Sequence, residues 1–203
     1  MARLESEKNY SGKGFQTNAI KKAFIENFTI ELEKFKDVYW VVEFLPEDSQ
    51  FTEKVWIVGD FEKGTDGTIK ANWLIDKVNN FLDLIGYSGG FNIRGEFETP
   101  EGVKVPFPEI EETIKTFMVT EGNRDCYAYF YKEWNEKDGK AYSRVLFPPV
   151  RLDQKERLMN TVKRLLEKGQ KRQRGGIIPY IPEEEDTPKT NNSYSVPGKI
   201  GRL

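Results

Sequence analysis

The chain contains no histidine and a single cysteine, Cys126. Histidine is the commonest general base near neutral pH and the commonest metal ligand. Its absence excludes Ser-His-Asp triads, Cys-His nucleophile pairs and ordinary zinc fingers. One cysteine cannot form a disulfide within the chain, which points to a reducing compartment. No apolar run approaches the ~20 residues of a membrane-spanning helix. The first residues, Met1 to Lys8, lack the apolar stretch of a signal peptide. A cytoplasmic protein with no membrane partner is expected.

Strong net charge is also missing. Charged residues make up 32% of the 203 positions and hydrophobic ones 37%, yet the net charge is −2. No global basic field attracts nucleic acid, so such a partner must be held by a local patch. The phosphate-loop pattern G-x-x-x-x-G-K-[ST] is absent. Carboxylates are plentiful, Glu31, Glu43, Asp60, Glu96, Glu98 and Glu111 among them, but most alternate with apolar residues as outward strand positions do. Their spacing does not match a two-metal nuclease. No cofactor, no metal and no catalysis are expected.

What the chain does have is an aromatic hairpin. Asp125–Trp134 reads as a strand with Tyr127, Tyr129 and Tyr131 on one face and Cys126, Ala128 and Phe130 on the other. Asp138-Gly139 is a hairpin-turn signal, and the return strand carries Tyr142 and Arg144 on one face. An aromatic stripe with basic neighbours suits base stacking along a single strand. The same stripe also suits a packed sheet face.

Upstream, alternation predicts strands over 27–35, 38–45 and 51–61. Phe28, Ile30, Trp40, Val42, Phe44, Val55 and Ile57 take their inward faces. Trp56 falls on the outward face beside Lys54, and Tyr39 lies opposite the Trp40 face. Leu74, Val78, Phe81, Leu82 and Ile85 give an amphipathic helix over 71–85, with Gly86 as its stop. Residues 91–108 hold short apolar alternations around Arg94, and Ile110, Ile114, Phe117 and Met118 suggest a short helix. After Arg151, Asp153 and Glu156 approximate a capping box for a last helix ending near Gly169.

The densest positive charge comes late, at Lys163, Arg164, Lys168, Lys171, Arg172 and Arg174. Lys168 suits the helix dipole. The three cations beyond Gly169 gain nothing from it and suit phosphate contact instead.

Three strands, a helix and two more strands is the order of a five-stranded OB-fold-like barrel. The expected organisation is a flexible basic arm (1–24), the barrel domain (25–150), a basic C-terminal helix (151–174) and a disordered tail (175–203). The tail contains the acidic run 183–186. An open α+β sheet with its helices on one face is the alternative.

Two phrases carry a resemblance. Asn80-Phe81-Leu82-Asp83-Leu84-Ile85-Gly86, and Glu133 to Val145 with its Asn-Glu-Lys-Asp-Gly-Lys turn, are similar to passages in a family of phage single-stranded-DNA-binding proteins. The resemblance spans about residues 27–150. It implies an OB-fold, no catalysis, and a role in replication or recombination in a host cell's cytoplasm. Many of those proteins end in an acidic tip that recruits replication partners. Here the acidic run is followed by Val196 to Leu203, a departure that puts that recruitment in doubt.

Single-stranded DNA is therefore the expected partner, with RNA as its variant. A second copy of the chain, and replication or recombination proteins reached through the tail, are the others. The expected contact residues are Tyr39, Lys54, Trp56, Arg94, Tyr127, Tyr129, Tyr131, Tyr142, Arg144, Arg151, Lys163, Arg164, Lys171, Arg172 and Arg174. A virion or assembly protein with wrapping arms is the competing reading, and a carboxylate-metal nuclease the third.

Overall fold

Alternation of apolar residues builds most of the fold. The computed structural model describes residues 18–32, 38–59, 65 and 73–181. Expectations for the first 17 residues and for the acidic run 183–186 lie outside the described residues. In chain order come strands β1 (Ala19–Leu32), β2 (Val38–Pro46) and β3 (Glu53–Gly59), then helix α1 (Trp73–Ile85). Three two-residue strands follow: β4 (Gly90–Phe91), β5 (Phe97–Glu98) and β6 (Lys104–Val105). Helix α2 (Phe107–Thr120), the hairpin β7 (Asp125–Asn135) and β8 (Lys140–Val145), a 3-10 turn (Leu152–Gln154) and helix α3 (Lys155–Gln170) complete the elements of the described residues.

The long strands form one antiparallel sheet in the order β3-β2-β1-β7-β8, and β4, β5 and β6 form a separate small one. This is a mixed α and β protein rather than a mainly β one. Four successive antiparallel pairings leave the edge strands β3 and β8 pointing the same way. The sheet curls until Cα atoms of those edges come within 8 Å. No ladder joins them among the described residues, so the sheet is not closed.

Strand β1 begins earlier than its alternation suggests. Ala19 to Phe24 pair with β7, although Lys21 and Lys22 make that stretch read as a charged arm. Both charges find carboxylate partners from elsewhere in the chain, Lys21 in Asp48 and Lys22 in Asp125. A bulge between Ile25 and Asn27 bends the strand toward β2. Arg124 holds the bend, donating to the carbonyls of Ile25 and Glu26 at 2.8 Å each. Beyond the bend β1 has lost β7, and Glu111 of α2 accepts the Ile30 N–H at 2.8 Å.

The inward face meets α1 and α2. Phe28, Trp40 and Phe81 pack ring on ring, and Phe91 stands edge-on to Trp40. Cys126, Ala128 and Phe130 join this core from β7. Burial pushes the Cys126 thiol up to about 12, so it is a packing residue rather than a nucleophile. Gly86 stops α1 in the left-handed region (φ +86°), and the Tyr87 N–H donates to Leu82 O at 2.9 Å. Helix α3 packs on the opposite, outward face of β7, so the helices occupy both faces rather than one. The capping box expected from Asp153 and Glu156 does not form. The N-cap of α3 is Gln154, and no side chain caps it.

The edge seam contains one poorly placed charge. Glu53, half-buried at the start of β3, meets Ser143 of β8. Burial pushes its carboxyl up, and the Ser143 hydroxyl and Lys132 only partly offset this. A raised acid binds its proton more tightly in the folded state. Its penalty therefore appears as pH climbs from the unfolded carboxyl range through the raised folded value. Glu53→Gln is expected to raise the melting temperature at neutral pH and leave it unchanged at pH ~3, below that window. An equal shift at both pH values would place the effect in packing instead of titration.

Candidate nucleic-acid interface

Outward strand positions next to the seam are the first candidate surface. Trp56 is half exposed on β3, directly across from the fully buried Val41 of β2. Lys54 lies two residues away on the same face and is ion-paired with Glu43 at 2.9 Å. Tyr39 sits in β2 opposite Val58, and its side chain lies outside the described atoms.

On β8, Tyr142 and Arg144 are exposed. The Tyr142 hydroxyl donates to the Asp138 carboxylate in the β7–β8 turn, a bond that pushes its pKa up. The Arg144 guanidinium binds Glu133 Oε2 at 3.0 Å and stands 5.8 Å from the Tyr142 ring centre. Because β3 and β8 run side by side, the outward faces of Trp56 and Tyr142 belong to one continuous surface. Its cations are already neutralised by neighbours, Lys54 by Glu43 and Arg144 by Glu133.

The tyrosine stripe is not open. Tyr129 is 3% exposed and forms a second core with Leu158 and Val162 of α3. Tyr127, Tyr131, Ile20 and Leu166 pack around it. Tyr129 and Tyr131 stack on each other, 5.5 Å between centroids, and Lys155 stands 4.8 Å over the Tyr127 ring. The expected stacking platform is instead the seat of α3. Amphipathic α3 needs an apolar partner, and this face is the one offered.

Residues 175–181 do not belong to a disordered tail either. The chain reverses after α3, and the Ile177 N–H donates to Leu165 O at 3.1 Å. Ile177 joins the second core. The Tyr180 N–H donates to Lys132 O at 2.7 Å, and its ring stacks on the half-exposed Trp134 at 5.2 Å.

The basic positions divide. Arg94 is exposed in the β4–β5 turn of the small sheet. Lys171, Arg172 and Arg174 are exposed in the turn behind α3. That turn is closed by the Arg172 N–H to Gly169 O and the Gln173 N–H to Lys168 O, at 2.8 Å each. Lys163 is exposed on α3. Arg151 and Arg164 line one cleft, together with Arg157, which sequence reasoning missed. The signal for Arg157 is its seven-residue spacing from Arg164, which puts both on one helix face. Among the described residues no three Cys, Asp or Glu side chains gather to hold a metal ion. No family model matches the chain, and comparison with curated proteins finds no relative.

Proposed function

We propose that the protein binds single-stranded DNA with weak sequence preference, on a sheet connected as in an OB-fold. In this reading it acts without catalysis in replication or recombination of a phage or mobile element, in the cytoplasm of the host. The strand path supports the fold assignment. Taken around the curl, the order is β1, β2, β3, β8, β7 and back to β1, with α1 and α2 between the third and fourth long strands. That is the five-stranded Greek-key barrel order, with its last pairing left open. Such barrels bind strands on the face of their second and third strands and on the loop between the last two. Trp56 and the Asn135–Lys140 turn occupy those places.

The observation that carries the reading is Trp56. A tryptophan kept half exposed on a sheet face leaves about half of its ring open to a base. Titration with oligo(dT) is expected to quench tryptophan fluorescence and to weaken as salt rises. Trp56→Ala is expected to lose about 1–3 kcal/mol of binding, the worth of one base stack. Its unfolding midpoint should fall by less than that of a variant lacking a fully buried aromatic, because half of the ring is already in solvent. Wild-type fluorescence indifferent to oligo(dT) at low salt would defeat the proposal. A Trp56→Ala variant that binds normally would move the stacking elsewhere.

A further inference from the structure

We propose that the cleft between α3, the end of α1 and residues 146–151 is a phosphate track for the single-stranded DNA backbone. The inference rests on the DNA-binding reading above and adds where the phosphates lie. The cleft has a volume of about 390 Å³ and is lined by Arg151, Arg157 and Arg164. Asp83 is the one carboxylate among the lining residues, so the lining is cationic on balance.

Pairing separates this surface from the sheet. Lys54, Arg144 and Lys22 each have a carboxylate partner. Arg151, Arg157 and Arg164 have none among the described residues. Arg157 reaches only the Gln154 side-chain carbonyl, at 3.4 Å. A guanidinium held in an ion pair must break it to bind phosphate. An unpaired one presents its full fork of donors, which matches phosphate geometry.

The helix fixes the spacing. Arg157, Thr161 and Arg164 share one face of α3, distinct from the face that Leu158 and Val162 bury on the sheet. The two arginines stand about 10 Å apart along the axis, at 1.5 Å per residue. Between them and the chain at 146–151, Leu146 and Leu158 give the cleft an apolar floor suited to a sugar or base edge. A second depression over the same stretch of α3 shares Arg157, Thr161 and Arg164 and also includes Glu156 and Asn160. The cleft therefore opens around the outer side of the helix rather than closing around a small molecule. That shape suits a strand passing through and does not suit a captured mononucleotide.

The test compares dissociation constants for oligo(dT) across about 50 to 200 mM salt, a range over which phosphate contacts are read from the slope. Arg157→Gln with Arg164→Gln is expected to flatten the slope by about 1.4, at ~0.7 per single-strand phosphate contact, and to weaken binding roughly 10–100-fold at the low-salt end. Both side chains are exposed, so the fold should be retained. Lys104→Gln with Lys115→Gln makes the same charge change on β6 and α2, and should leave the slope unaltered. An equal effect of the two double variants would reveal only a long-range field and would overturn the track. So would a cleft variant that binds like the parent, in which case the DNA-binding reading survives. Displacement of the oligomer by dTMP at matched phosphate concentration would assign the cleft to a mononucleotide and overturn the proposal. Wild type that binds no oligo(dT) removes both readings together.

Discussion

Tyr129→Ala is expected to lower stability by about 3–4 kcal/mol, the range for removing a large buried aromatic. The ring is 3% exposed, between β7 and the Leu158 and Val162 side chains of α3. Its loss leaves a cavity under a helix that has few other attachments to the sheet. The second core is small, and Ile20, Tyr127 and Tyr131 at its margin are only partly buried. Collapse into the cavity is limited because β7 is held from both sides by β1 and β8. Urea unfolding read by far-UV circular dichroism checks the size. Trp56→Ala in the same buffer is the comparison that changes less, since half of that ring is already in solvent. If Tyr129→Ala kept the parental midpoint and lost DNA binding, the ring would be reaching nucleic acid, and α3 would have to swing away to allow it.

This contrast shows how far the residues could be read in advance. Period-two alternation located β2, β3 and the β7–β8 hairpin, because each has one face in a core and the pattern is local. It placed Trp56 on the outward face for the same reason. Alternation does not say what covers a face. The tyrosine face looked like a platform because tyrosine is the least apolar choice for burial. Its cover is α3, which arrives some thirty residues later, and no local signal links the two. Lys21 and Lys22 hide the first residues of β1 because their partners, Asp48 and Asp125, are distant in sequence. Cations mislead in the same way when taken one at a time. Lys54 and Arg144 look available on their strands, yet Glu43 and Glu133 stand directly across the ladders or beside them. Arg157 is spaced seven residues from Arg164 in an ordinary helical pattern, and only the chain at 146–151, which walls the cleft, sets the pair apart.

The expected outcome for Gly169→Ala runs against helix propensity, which makes it decisive for the segment after α3. In an exposed helix interior, alanine is favoured over glycine by about 1 kcal/mol. At Gly169 an added Cβ would lie 1.9 Å from Ile177 O and 2.5 Å from Ile177 C. Both are backbone atoms, so no side-chain rotation relieves the contact. Gly176 has the reciprocal constraint, since its own Cβ would lie 2.2 Å from the Gly169 nitrogen. The two glycines mark a crossing of two backbones too close for any side chain. The Gly169 substitution must lift residues 176–177 away from α3 and break the Ile177 N–H bond to Leu165 O. Ile177 then leaves the second core, and Tyr180 loses its hold on the Lys132 carbonyl and the Trp134 ring. A net loss of about 2–3 kcal/mol is expected, the overpacking cost at a rigid contact. Residues 175–181 should become open to proteases, and Trp134 emission should shift to the red as Tyr180 leaves it. The consequence reaches the phosphate track, because α3 carries Arg157 and Arg164 and this segment helps fix α3 to β7. A rise in melting temperature on Gly169→Ala, with unchanged proteolysis, would mean that the crossing is looser and that propensity alone governs the helix end.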